Sequence, residues 1–582
     1  MWSSGSDTAS AAASLQRLVP APVSLQPDAR GRHVLSASTR IYTSPAAHAV
    51  GEYLGGVLRP STGYPLPVRN TFATPDRGIA LLLGGAPRSV GDQGYQLAVT
   101  RSAVTIRANT TTGLFAGVQT LRQLLPPEIE KRDRQHVTWT VPGVRITDYP
   151  RFAHRGAMLD VARHFHPVAT VKRYVDQLAL YKINYLHLHL TDDQGWRLQI
   201  DGWPNLTAHG ASTQVGGGPG GFYTKAQYRE IVKYAAERKI TVIPEVDLPG
   251  HTNAALSSYA ELNCDGVAPP LRTDIEVGYS SLCVSKDVTY RFVEDVIRQL
   301  AAITPGEYLH IGGDEAKATT DADYQTFLDK VLPLVGKYGK KVVGWHEFVK
   351  TTTDTSAVPQ YWGTTTTNAV VQAAAARGNK VLLSPANKAY LDMKYDASTP
   401  LGLKWAGYVE VRTAYDWNPG AYLTGVPESS VRGVEAPLWT ETIVTPAHID
   451  FMAFPRLPAI AELGWSPWST HDWESFKVRL AAQGARWTAL GIDWYHSPQI
   501  PWTSAQAEAF DQTTTTTTAS TSPSGPTAPT TTTRVVGTWS AGTAYKVGDY
   551  VTYQGNRYRC LQSHTAQPGW EPSLVPVFWV PA

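Results

Sequence analysis

Between residues 149 and 498, short apolar runs alternate with helical patterns, and this alternation constrains the fold of the 582-residue chain more than any other feature. The runs cover 156–160, 183–191, 241–246, 308–312, 341–345, 357–362, 380–384 and 431–439. Helical spacing follows in stretches such as 168–180, 225–238 and 290–303. Eight β-like runs, most followed by a helix, are the pattern of a (β/α)8 barrel. A doubly wound open sheet is the alternative, but it usually has fewer strands and a glycine-rich phosphate turn, which is not found. The expected class is therefore α/β, with a TIM barrel at its centre.

Polar and aromatic residues gather at the C-terminal ends of these runs. They are Asp160 with Arg163, Asp192 with Asp193, Glu245 with Asp247, Asp314 with Glu315, Trp345 with Glu347, Trp362, and Trp439 with Glu441. In a barrel these ends converge on one face, where active sites of this fold are built. Scattered surface charge is the weaker reading, because a core has no need of so many carboxylates there.

The flanking regions read as separate pieces. Residues 15–148 alternate like strands at 95–100 and 103–108, then turn amphipathic over 113–125 before Pro126 and Pro127. That is an α/β accessory domain, and it holds no catalytic cluster. Residues 512–534 are almost entirely Thr, Ser, Pro and Ala, too polar to fold, and read as an extracellular linker. The last stretch, 535–582, is small and aromatic and reads as an all-β module.

Composition removes several function classes. A net charge of +3, with 17% charged residues and no basic block, argues against nucleic acid as a partner. No apolar run approaches the ~20 residues that span a bilayer, so no membrane partner is expected. Eighteen Trp and 28 Tyr raise the expectation of a carbohydrate partner, because flat rings pack on the C–H faces of sugars. The N-terminus has no charged region followed by an apolar one, and reads as a mature or re-engineered form. Cys264 and Cys283 flank a loop-like stretch with Pro269, Pro270 and Gly278, where a local disulfide is expected in an exported protein. Cys560 is left as a buried small hydrophobe.

Carboxylates with tryptophans and no metal motif point to glycoside hydrolysis. The usual retaining scheme places two carboxyls ~5–5.5 Å apart across the anomeric carbon. Asp314 and Glu315 are chain neighbours at a strand end, where successive side chains point apart unless the strand twists. A division of labour fits them better, one protonating the leaving group and the other handling a neighbouring substituent.

The motif His310-Ile-Gly-Gly-Asp-Glu315 resembles the signature of glycoside hydrolase family 20, the β-N-acetylhexosaminidases, of the streptomycete type. Stretches 186–197, 244–251, 344–345 and 438–441 are similar to that family in the same order, and the likeness spans about residues 15–498. It implies a retaining, substrate-assisted reaction in which the substrate's 2-acetamido oxygen attacks the anomeric carbon. Glu315 is then the acid and base, its pKa raised by aromatic walls and the Asp314 charge. Asp314 orients the acetamido N–H, and Tyr390 bonds its oxygen. Trp345, Trp362 and Trp439 form the acetyl pocket and sugar floor, while Arg163, Asp392 and Glu441 grip hydroxyls. Asp192, Asp247, His251 and His310 are expected behind the catalytic pair. His187 and His189 share a strand face, yet a barrel-core role is favoured over metal binding. His164 and His166 are read the same way, and neither a metal nor a cofactor is expected.

The tail resembles carbohydrate-binding module family 5/12, a chitin-binding type, through Trp539, Tyr545, Gly548, Val551, Tyr553, Gly555 and Tyr558. It departs from the commonest pattern, since no Trp-Trp pair follows Tyr558. Trp570 and Tyr558 are expected as its stacking surface, with Trp539 and Trp579 as core. The whole reads as a secreted, monomeric exo-hydrolase of terminal β-GlcNAc or β-GalNAc. Two rivals remain: a polysaccharide-binding protein with a dead barrel, and a glycosidase using Glu245, Glu347 or Glu441 as nucleophile.

Overall fold

The computed structural model describes residues 15, 17–503, 535–546, 549–560, 564–566, 571–572 and 579–581. The chain forms two compact units, Met1–Phe510 and Asp511–Ala582.

The first unit contains a closed barrel of eight parallel strands. They are β1 (His154–Asp160), β2 (Tyr185–His189), β3 (Thr241–Glu245), β4 (Tyr308–His310), β5 (Lys341–Trp345), β6 (Val358–Tyr361), β7 (Val381–Leu383) and β8 (Val431–Leu438). Closure comes from β8 lying beside β1, in register from Gly433 on His154 to Leu438 on Leu159. Every run read from the sequence is a strand of this barrel. A helix does not follow each one, because β5 runs into the short 3-10 turn His346–Thr351.

The barrel interior is layered, and the layering follows from the two-residue period of a strand. Near the bottom, Ile243, Tyr308, Val343, Val358 and Leu382 form a small apolar cluster against Tyr185. Two residues further along the same strands stand Glu245, His310, Trp345, Gln360 and Ser384, with His187 and then His189 on β2. An apolar floor thus gives way to a buried polar layer just beneath the C-terminal rim.

Before the barrel comes a seven-stranded sheet, ordered Ser24–Val34, Thr140–Asp148, Tyr95–Val99, Ala103–Ala108, Gly78–Leu83, Ile41–Thr43 and Val68–Asn70. Helices His48–Thr62 and Thr111–Leu124 accompany it, the second capped by Thr110, which accepts from Thr112 N and Gly113 N. This sheet domain is tied to the barrel by buried charge. Glu130 receives Arg122 and Arg486, each at 2.6 Å, and Asp148 receives Lys182 at 2.9 Å and the Trp465 indole at 2.9 Å.

The second unit has a four-stranded sheet, ordered Val535–Thr538, Tyr550–Tyr553, Asn556–Cys560 and Trp579–Pro581, and a strand pair at Ala544–Tyr545 and His564–Thr565. Its core is Tyr545, Val551, Tyr558, Cys560, Ala566 and Trp579. Tyr558 is therefore not a stacking surface, as the sequence reading had it. It sits two residues before Cys560 on one strand, so both turn inward, and it is only 8% exposed. Trp539, expected in the core, is half-buried and packs edge-on against Tyr553 at 5.5 Å. Trp570 and the linker lie outside the described residues.

Candidate active site

The polar layer beneath the rim is built around two carboxylates. Glu245 Oε2 lies 2.9 Å from His187 Nε2 and also meets His189 Nδ1, while Glu245 Oε1 accepts the Trp345 indole N–H at 2.9 Å. Glu435 meets His187 Nδ1 at 2.8 Å, His154 Nε2 at 3.2 Å and the Gln360 amide at 2.8 Å. Burial alone would lower the pKa of both β2 histidines, but Glu245 and its neighbours push His187 up to about 9 and His189 up to about 10. Two buried anions are thus balanced by two imidazolium ions, as desolvated charge requires. Glu245 is fully buried and held by His187, His189 and Trp345, with His310 Nδ1 3.0 Å from Oε1, so it is a structural anion of the layer and is not open to a substrate as a nucleophile. His310 also belongs to this layer. Its Nδ1 accepts the Gly312 N–H at 3.0 Å, and its ring packs on His187, so it supports the floor and does not reach Asp314.

Above this layer the chain after β4 turns sharply. Gly312, Gly313 and Glu315 have φ of 66°, 96° and 44°. A Cβ on Gly312 would stand 1.7 Å from Asp247 Oδ1, so only glycine fits. The turn answers the orientation problem posed by adjacent carboxylates. Asp314 and Glu315 approach the same imidazole, with His251 Nε2 at 3.6 Å from Asp314 Oδ2 and 3.7 Å from Glu315 Oε2.

His251 is held from behind by Asp192, whose Oδ1 lies 3.1 Å from His251 Nδ1. Burial opposes its charge, but Asp192 and Asp314 win and push His251 up to about 10. Asp247 accepts the Gly313 N–H at 3.1 Å. Burial first, and the Asp314 charge second, hold Asp247 well above the usual carboxylate range. Burial raises Asp314 as well, and Asp247 Oδ2 and Asp314 Oδ1 are both buried without a hydrogen-bond partner. The His251 cation leaves Asp314 the readier to ionise.

Glu315 is less enclosed than the sequence reading supposed. Its side chain is 25% exposed, and Lys317 Nζ stands 3.2 Å from Oε1.

Around this pair the expected sugar-contacting residues converge. Arg163 bonds Asp192 at 2.8 Å, stacks its guanidinium 4.9 Å over Trp439 and keeps a buried Nη1 that makes no hydrogen bond, although Asp160 Oδ2 stands 3.5 Å away. Asp392 likewise has a buried, unpartnered Oδ2. Burial, and then the Glu441 charge, raise Asp392 well above the carboxylate range. Trp345 and Trp439 lie 5.6 Å apart, and Tyr390 is 6.2 Å from Trp439. Trp362 donates its indole N–H to both oxygens of Glu347 at 3.1 Å. Burial, then the Asp314 charge, push Glu347 up to about 8.

Trp405 was missed in the sequence. It is 53% exposed and stands 5.9 Å from both Trp362 and Tyr390, at the mouth of the site. It belongs to no strand end, so nothing but its aromaticity marked it. Several histidines and carboxylates here bring possible ligand atoms within 4.8 Å of one another, among them Asp247, His251 and Asp314.

Comparison with known proteins agrees with this fold. Residues 152–468 match the catalytic-domain model of glycosyl hydrolase family 20, residues 15–149 match its domain 2, and residues 538–580 match carbohydrate-binding module family 5/12. The chain is 43% identical over 498 residues to a β-N-acetylhexosaminidase from Cellulomonas fimi, covering 85% of this chain and 99% of that one. Among solved structures it is similar to a β-N-acetylhexosaminidase from Streptomyces coelicolor A3(2), with TM-score 0.82, 58% identity and coverage of 84% and 99%. A mutant Streptomyces plicatus β-hexosaminidase in complex with the product GlcNAc matches with TM-score 0.81, 58% identity and coverage of 84% and 98%.

Proposed function

Because the chain belongs to glycosyl hydrolase family 20 and is a β-N-acetylhexosaminidase, we propose that Asp314 and Glu315 carry unequal halves of its substrate-assisted hydrolysis. The substrate's acetamido oxygen bonds to the anomeric carbon as the glycosidic C–O bond breaks, and the Glu315 proton passes to the departing oxygen. Asp314 accepts the acetamido N–H and balances the positive charge of the oxazolinium that forms. Water then attacks the anomeric carbon and gives a proton back to Glu315, and the ring opens with net retention.

The observation that supports this division is the unequal exposure of the two carboxylates. Asp314 is buried beside His251, with Asp247 raised by its charge, whereas the Glu315 side chain is 25% exposed and faces Lys317 at 3.2 Å, where a leaving group can reach it. Tyr390 bonds the acetamido oxygen, and Trp345, Trp362 and Trp439 enclose the acetyl group and the sugar face. Arg163 through Nη1, which makes no hydrogen bond within the protein, Asp392 through Oδ2, and Glu441 take the hydroxyls of the terminal sugar.

The protein acts outside the cell, on chitin-type polymers held by its C-terminal module. Support comes from the Cys264–Cys283 disulfide and from the likeness to module family 5/12. Half-buried Trp539, Tyr550 and Tyr553 replace Tyr558 as the described aromatics of that module that reach solvent.

Two substrates test the mechanism. An aryl 2-acetamido-2-deoxy-β-glucoside is cleaved, and its 2-hydroxy counterpart is not; equal cleavage of both shows an enzyme nucleophile instead. With a poor leaving group, Glu315→Gln lowers kcat by about 10²–10⁴-fold. A rate like that of the unaltered enzyme rejects Glu315 as the acid.

A further inference from the structure

A cavity of about 560 Å³ lies next to the catalytic loop but outside the site just described. Its walls are the stretch between Cys264 and Cys283, the loop after β3 and the chain that follows Glu315. No strand or α-helix crosses the stretch from 264 to 283, and its course is set by the disulfide together with hydrogen bonds to neighbouring loops, such as Asn253 Nδ2 to the Pro270 carbonyl at 3.1 Å and Gln194 Nε2 to the Asp274 carbonyl at 2.9 Å.

The cavity shares a partition with the catalytic pair. A Cβ at Gly278 would lie 2.7 Å from Lys317 Cδ and 3.2 Å from the Glu315 carbonyl oxygen. On the far side of the partition, Ser281 and Thr319 bond through their hydroxyls at 2.6 Å and both line the cavity. Ser280 has a foot on each side, since it lines the cavity and donates at 2.5 Å to Asp193, beside His251.

The lining has the chemistry of a site for a polyol with apolar faces and N–H or O–H donors, since Asp265 and Asp323 add acceptors to its hydroxyls. Hydroxyls come from Ser281, Ser285 and Thr319, flat apolar surface from Pro270, and a ring from Tyr279 with Arg272 stacked 4.3 Å above it. The Tyr279 hydroxyl is buried yet has no hydrogen-bond partner, which is costly unless a ligand supplies one. Direction matters too. Glu315 gives its proton to the departing oxygen, so the leaving chain exits on the Glu315 side of the site, toward this partition.

We propose that this cavity is a distal subsite for the leaving chain, taking an N-acetylhexosamine unit beyond the first leaving sugar. The inference rests on the hexosaminidase reading above. It makes the protein a hydrolase that prefers oligomers to disaccharides, with the disulfide loop as the part that measures chain length.

The experiment compares kcat/KM for β-1,4-linked GlcNAc oligomers from dimer to pentamer, with an aryl 2-acetamido glucoside alongside. The unaltered protein should show a rise of about tenfold along the series, equivalent to one further well-made sugar contact. Thr319→Tyr, which fills the cavity, should flatten the series and leave the aryl substrate unchanged. Tyr279→Phe, which removes only the unpartnered hydroxyl, should lower the long-chain advantage severalfold. A flat series in the unaltered protein overturns the proposal, as does an unchanged rise in Thr319→Tyr. An equal loss on the aryl substrate in both variants also overturns it, since the residues would then serve the fold alone. Failure to cleave the aryl substrate at all would reject the hexosaminidase reading itself, a separate result.

Discussion

Glu347 shows how a single residue's surroundings decide its charge. It takes the Trp362 N–H on both oxygens and faces Asp314 and Glu315 on the loop after β4, with Tyr324 and Tyr390 also near. Its folded pKa is raised, to about 8, above the ordinary carboxylate value near 4.5. The folded protein therefore holds a proton that the unfolded chain releases, and stability falls as pH rises from about 4.5 through about 8. Glu347→Gln fixes the neutral form. Thermal unfolding at pH 5 and pH 8.5 should show this variant gaining on the unaltered protein at the higher pH. An equal difference at both values would show that Glu347 is ionised throughout. The neighbouring Asp-Glu pair was legible in sequence because a short motif surrounds it. Glu347 was legible only as a carboxylate at a strand end, since nothing in the sequence reports that an indole on β6 would reach it.

At the scale of elements, the eight strands were legible because their apolar runs are short and bounded, and fall at the spacing a barrel demands. The loop after β4 was less so. Its motif was visible, but the orientation of Asp314 and Glu315 depends on consecutive left-handed residues, which alternation along a strand does not report. Gly312→Ala tests that turn. The added methyl would meet Asp247 Oδ1, and the residue would be strained at φ 66°. Displacing Asp247 and Asp314 by even ~1 Å should lower kcat about 10²-fold. Gly339→Ala is the control, since its φ is 72° but no atom lies within 4 Å of the new Cβ. It should be strained yet active, and equal loss in both variants would reduce the effect to backbone strain. In the tail module, Tyr558 was misread because inward and outward positions look alike in a strand rich in both aromatic and charged residues. Its pairing partner across the sheet, Val551, is 1% exposed, and that contact sets the inward face.

Across the whole molecule, the boundary between sheet domain and barrel was visible in sequence, but what joins them was not. Glu130 and Arg486 are 356 positions apart, and neither stands out locally. Glu130→Gln would leave Arg122 and Arg486 buried without their counter-ion. It should cost about 3–5 kcal/mol of stability, read by denaturant unfolding. A loss near zero would mean that water or a shifted side chain replaces the carboxylate.

The Cys264–Cys283 bond has a practical meaning for anyone who makes this protein. A cystine of this kind is not kept in a reducing cytosol, yet the barrel's layered interior owes nothing to it. Material prepared under reducing conditions should fold and hydrolyse small chromogenic substrates at full rate, and so pass as sound enzyme. The defect would surface only on longer oligomers, where an unfastened loop no longer receives the departing chain. Quality control by a chromogenic assay alone would then certify a preparation that has lost its reach.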